Sequence, residues 1–180
     1  MLSAAKVLFL AFFDICRLQK RPQDIPASKN LLTLCLLIYT LFSIGLVMLS
    51  DEPLDRAIAA SLLEIGLIMA FTQALLQIRG KTERWVQTIT ALSGTGVVLS
   101  LFALPVYILL SLNGGNETNN NPIYAFGLLI LAGLALWNIF IMAHVLRHAL
   151  EVNMMSGIIL AIIYIWIIFS FTAAIMPVEN

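Results

Sequence analysis

Residues 31–49 read LLTLCLLIYTLFSIGLVML, and no charge occurs anywhere from Asn30 to Ser50. A hydrocarbon layer about 30 Å thick is crossed by about 20 apolar residues rising 1.5 Å each in a helix. This stretch is therefore read as a membrane span. Lipid offers no partner to unpaired backbone groups, so an open sheet is excluded and the span is helical. Working outward, four more stretches meet the same test, at 57–78, 85–112, 123–146 and 154–176. The third is longer than the bilayer is thick, which predicts tilt, or a bend at Pro105, whose ring removes a backbone donor.

The composition agrees. Of 180 residues, 61% are hydrophobic and only 11% charged, against a globular norm of about 25% charged. Mean hydropathy is +0.97. So few polar side chains cannot cover a soluble domain of this size, which excludes a soluble globular protein and a disordered chain. Ten Lys and Arg balance ten Asp and Glu, leaving no net field to draw in nucleic acid. The two cysteines, Cys16 and Cys35, lack CxxC spacing and read as small packing residues.

The links are short: DEPLDR at 51–56, RGKTER at 79–84, NGGNETNNNP at 113–122 and RHALEVN at 147–153. Short links make neighbours antiparallel, so the expected fold is an all-α membrane protein, an up-down bundle of five helices. Residues 30–180 form this membrane domain, and residues 1–29 stand apart. There, VLFLAFF at 7–13 is too short to cross. On a helical wheel Ser3, Lys6, Asp14, Arg17, Lys20 and Arg21 share an arc of about 120°, with Leu8, Phe9, Phe12 and Ile15 over much of the rest. That predicts an amphipathic helix lying in the membrane interface, with a partly inserted hairpin as the alternative. A cleaved signal peptide is disfavoured by Asp14 and Arg17 after the apolar run.

Charge sets the expected orientation. Lys6, Arg17, Lys20, Arg21, Lys29, Arg79, Lys81, Arg84 and Arg147 fall on the side of the N-terminus, and only Arg56 on the other. The far side carries Asp51, Glu52, Asp55, Glu117 and Glu179, and an Asn116-Glu117-Thr118 sequon. Cations stay inside, so the N-terminus is expected in the cytoplasm and the C-terminus outside, in a bacterial inner membrane.

Glu64 is the acid well inside a span, and a carboxylate there is costly unless protonated, paired or wetted. Its helical face holds Ala57, Ala60, Ser61, Ile68 and Thr72, which invites close helix approach, with Tyr39 or Tyr107 as partner. It is either a working acid or one structural hydrogen bond. Gln73 and Gln77 lie on the opposite face beside Gly66, Ala70 and Ala74, a second small-residue stripe that predicts a central place for this helix. Gln87, Thr88, Thr90, Ser93, Thr95 and Ser100 make the third span polar, and Asn138 is a lone amide in the fourth. They are read as satisfying one another across helices or as lining a hydrophilic path. Trp137 and Trp166 are read as packing between helices. His144 and His148 have metal-binding i, i+4 spacing but no third ligand on their face. With Arg147 they read instead as an interfacial cluster facing anionic headgroups. No metal, cofactor or catalytic motif is indicated.

The order of parts has a counterpart. An amphipathic start, Asp14-Ile15-Cys16-Arg17, Arg21-Pro22-Gln23-Asp24-Ile25-Pro26, five spans and the short tail Pro177-Val178-Glu179-Asn180 resemble bacterial members of the Ypt-interacting (Yip) family. The resemblance implies a five-span membrane fold. In eukaryotes that family is linked to small GTPases and vesicle traffic, but the segment ahead of the first span is short for such partners, and no residue role carries over. The first expectation for function is a non-enzymatic accessory, assembly or scaffold subunit. It would work through helix contacts and a basic face (Lys6, Arg17, Lys20, Arg21, Arg79, Lys81, Arg84, His144, Arg147, His148) that meets membrane lipids, a membrane or cytoplasmic protein, or a second copy. The alternative is a small proton-coupled transporter or channel subunit using Glu64, with Gln73, Gln77 and Asn138 as further embedded polar candidates.

Overall fold

The computed structural model describes residues 4–50, 52–113 and 122–175. Six helices follow in order: α1 (Ala4–Cys16), α2 (Lys29–Met48), α3 (Leu54–Ile78), α4 (Trp85–Asn113), α5 (Pro122–Leu150) and α6 (Met154–Ile175). Single 3₁₀ turns at Pro22–Asp24 and Thr82–Arg84 lead into α2 and α4, and no strand occurs among the described residues. Five of the helices are long and apolar enough to cross a membrane. The sequon, Asp51, Glu179 and the tail after residue 175 lie outside the described residues.

Local chemistry sets the ends. Ser28 caps α2 by accepting the Leu31 N–H at 3.4 Å, and Asn153 Oδ1 accepts the Ser156 N–H at 2.7 Å at the start of α6. Pro122 opens α5, where its missing N–H costs nothing. Helices α1, α3 and α5 end alike, each on a left-handed residue: Leu18 (φ 61°), Gly80 (φ 64°) and Glu151 (φ 53°). In each case the next N–H reaches back five residues, from Gln19 to Asp14, Lys81 to Leu76 and Val152 to Arg147. Helix α4 runs unbroken through Pro105.

The long helices close a ring in the order α2, α3, α6, α5, α4 and back to α2, with α1 laid against α4 and α5. Large apolar side chains such as Leu41, Leu129 and Phe169 point outward, while hydroxyls gather inside, the reverse of a water-soluble protein. The central element is α4, which packs on α1, α2, α3 and α5 and is buried almost continuously from Thr88 to Ser100. This corrects the expectation for α3. Its Ala57, Ala60, Ser61 and Thr72 are buried as anticipated, but Gly66, Ala70 and Ala74 face outward, so one face packs and not two. Trp137 packs against Phe102 at 5.9 Å, whereas Trp166 is 69% exposed and is not an inter-helix residue.

The N-terminal segment also departs from the expectation of a helix lying free in the interface. Phe12, Ile15 and Cys16 of α1 are buried. Phe12 lies over Gly94, where a Cβ would come within 2.3 Å of its ring. The Cys16 carbonyl accepts the Trp137 indole N–H at 2.9 Å, and its thiol lies 3.9 Å from the Thr95 carbonyl. Thr95 is ten residues into α4, about 15 Å from its start. Part of the apolar face of α1 is thus spent on α4 and α5, while Val7, Phe9 and Leu10 stay exposed, and residues 17–25 return along the bundle to its end. The basic stripe stays on the other face, with Arg17 and Arg21 exposed.

Candidate functional site

Tyr39 and Ser43 are one helical turn apart on α2, and Ser61 and Glu64 one turn apart on α3. Where the two helices meet, these four side chains form a chain of hydroxyls ending on a carboxylate. Ser61 Oγ donates to Ser43 Oγ at 3.0 Å, and Ser43 Oγ donates to Glu64 Oε2 at 3.0 Å. Tyr39 Oη donates to Glu64 Oε1. Both carboxyl oxygens are therefore acceptors. From α6, Tyr164 Oη donates to the Glu64 carbonyl at 3.4 Å. The Tyr39 ring reaches this place because Gly96 of α4 leaves room: a Cβ there would lie 2.4 Å from its Cε2.

The cradle forms part of the wall of a half-open cavity of about 810 Å³ bordered by α2 to α6. Thr95, Ser100 and Tyr107 of α4, Asn138 of α5 and Tyr164 of α6 contribute polar groups, and Leu46, Leu99, Leu131 and Met142 apolar ones. Toward the α2–α3 link the lining reaches Ser50 and Glu52. Asn138 has no hydrogen-bond partner among the described residues and exposes its amide beside the cavity. The volume falls in the range of about 300–1,000 Å³ common for small-molecule sites.

Of the embedded candidates read from the sequence, the fold brings together Glu64 and Asn138, and it leaves Gln73 and Gln77 off the cavity, Gln77 exposed. Tyr39 is the Glu64 partner; Tyr107 lines the cavity without bonding it. The α4 hydroxyls neither pair across helices nor form a continuous path. Thr88, Thr90, Ser93 and Thr95 donate to carbonyls four residues back in their own helix, which satisfies them locally. Sequence reasoning missed Ser43 and Tyr164. The spacing of Ser43 from Tyr39 was an available signal; nothing in the sequence joins Tyr164 to Glu64 across a separation of 100 residues.

The basic groups converge at the opposite end of the bundle. Arg84 donates to Glu151 at 2.7 Å and to the His148 and Ala149 carbonyls at 3.3 Å, and Lys81 pairs with Glu151. Hydrogen bonds from Lys81 and Arg84 hold the Glu151 carboxyl below its ordinary range. Gln23 donates to the His148 carbonyl at 2.8 Å, and Gln87 to the Ile25 carbonyl at 2.9 Å. His144 is 3% exposed, its Nε2 set 2.9 Å from the Lys20 carbonyl, so it fastens the N-terminal segment and does not face headgroups. The His148 ring meets His144 edge-on at 4.6 Å and lies 3.2 Å from the Arg147 guanidinium. Lys20 pairs with Asp14 at 2.9 Å, while Lys6, Arg17, Arg21 and Arg79 are exposed and form no ion pair among the described residues. Burial pushes the Cys16 thiol up to about 12.

Compared with known proteins, the chain matches no protein family, no curated sequence and no solved structure.

Proposed function

We propose that this chain is a small proton-coupled carrier of the inner membrane, or one subunit of such a carrier, and that the Glu64 cavity is its working site. The observation behind this reading is the cavity itself. A carboxylate held by Tyr39 and Ser43 opens onto about 810 Å³ of partly polar space, where a purely structural acid would be sealed between helices. In a low-dielectric interior such an acid can exchange its proton for a solute. The reading takes the bundle as antiparallel, a view supported by Arg84 meeting Ala149 at one end and Leu110 meeting Gly127 toward the other. It sets the N-terminus in the cytoplasm, because the clustered cations belong on that side. It assigns no catalysis. The Yip-like order of parts is compatible with it and supplies none of its residue roles.

Reconstitution in liposomes with an internal pH dye tests the reading. Wild-type protein is expected to pass protons when a solute gradient is applied, and Glu64→Gln to lower that flux at least tenfold. Equal, baseline flux from both overturns it.

A second reading, the assembly subunit, is favoured by a separate observation. Gly66, Ala70 and Ala74 form an outward-facing small-residue stripe, and nothing lies within 4 Å of where a Gly66 Cβ would be. A stoichiometric second protein or copy retained in mild detergent supports this role; a lone chain argues against it.

A further inference from the structure

We infer that the solute taken by the Glu64 cavity is a lipophilic organic cation, an inference that rests on the reading of this cavity as the solute site. The charged groups in its wall are Glu64 and Glu52, and no Lys, Arg or His among the described residues lines it. Glu52, at the α2–α3 end, already pairs with Arg56 at 3.7 Å. Glu64 has only hydroxyl donors, so its carboxylate meets no counter-ion within the described residues. A buried anion of that kind is balanced either by a proton or by a cation that enters. Anionic solutes would face the same charge unscreened, and neutral ones would leave it uncompensated.

The rest of the wall separates an organic from an inorganic cation. Leucines and a methionine make up much of it, and the space exceeds by many times the roughly 30 Å³ of one water. Apolar walls offer a hydrated metal ion nothing, whereas a cation carrying rings or alkyl groups gains by burying them. Tyr39, Tyr107 and Tyr164 add aromatic rings to the wall, whose faces attract organic cations. Entry of the cation requires that a protonated Glu64 release its O–H proton to water, leaving the carboxylate as counter-ion. One proton leaves for each cation bound. The titratable groups facing Glu64 are Tyr39 from α2 and Tyr164 from α6, with Tyr107 of α4 across the cavity; α5 presents the neutral Asn138.

Equilibrium dialysis of the purified chain in detergent tests this with two probes of matched size and opposite charge, tetraphenylphosphonium and tetraphenylborate. The phosphonium is expected to bind saturably at one site per chain and to weaken at least tenfold in Glu64→Gln; the borate is expected to show no saturable site. Equal binding of the two probes, or phosphonium affinity unchanged in Glu64→Gln, overturns the inference. Should that variant fail to fold, wild-type protein in weak buffer decides: one proton released per phosphonium supports the inference, and none overturns it. Phosphonium binding without coupled flux in liposomes would refute the carrier and keep the ligand class. Flux driven by another solute, with no phosphonium binding, would do the reverse.

Discussion

Leu18 is held at φ 61°, in the left-handed region where its Cβ crowds the following carbonyl at about 1–2 kcal/mol. Glycine avoids that crowding and gives back about 0.5–1 kcal/mol through its looser unfolded chain. Leu18→Gly is therefore expected to stabilise the protein by about 0.5–1 kcal/mol in thermal unfolding in detergent, and a loss of stability would show that the Leu18 side chain matters more than its backbone. At this scale the sequence was informative about Glu64, because a charge in an apolar run stands out whatever the fold. It was also informative about Tyr39 as a partner. It could not separate Asn138, which meets the cavity, from Gln73 and Gln77, which do not, since each is simply an amide in an apolar helix. His144 was misread for a related reason: a histidine near a helix end looks like a headgroup contact until the Lys20 carbonyl is seen beside it.

Helix α1 carries the largest gap between pattern and structure. An apolar face with a basic stripe looks the same whether the face meets lipid or other helices, and the pairing of Phe12 with Gly94, 82 positions on, decides for the helices. Gly94→Val should push α1 off α4 at a cost of about 1–3 kcal/mol, as overpacking does. The double change with Phe12→Ala should cost less than the sum of the two single changes, whereas additive losses would mean that the two residues do not touch in the folded protein. At the foot of α5, Glu151 is held below the ordinary carboxylate value of 4.5 by Lys81 and Arg84. Its contribution to stability is present above that value and is lost as pH falls through the lower, folded one. Because the group is exposed the effect is small. Lowering pH from about 5 to 3 should cost wild type more of its melting temperature than Glu151→Gln, and parallel acid limbs would show that the pairs carry no stability.

At the scale of the whole molecule, the five long helices were legible because length and hydropathy set them directly, and the fold departs from the expected bounds by a few residues at the ends. Which helix stands at the centre was not legible. Small residues mark close approach without naming the partner, and the two stripes of α3 gave equal signals although only one is used. The cavity was invisible for the same reason, since it exists only where α2 through α6 fail to fill the ring they close. Cysteines placed at Asn138, beside the cavity, and at Leu136, 60% exposed on the outer surface of the same helix, test it in sealed vesicles with an impermeant thiol reagent added from the outer side. The native Cys16 and Cys35 are buried and serve as the unreactive background. Modification of Asn138→Cys is expected to be at least tenfold faster than that of Leu136→Cys. Equal rates, or a silent Asn138→Cys, would mean that no water-filled chamber reaches Glu64 from outside.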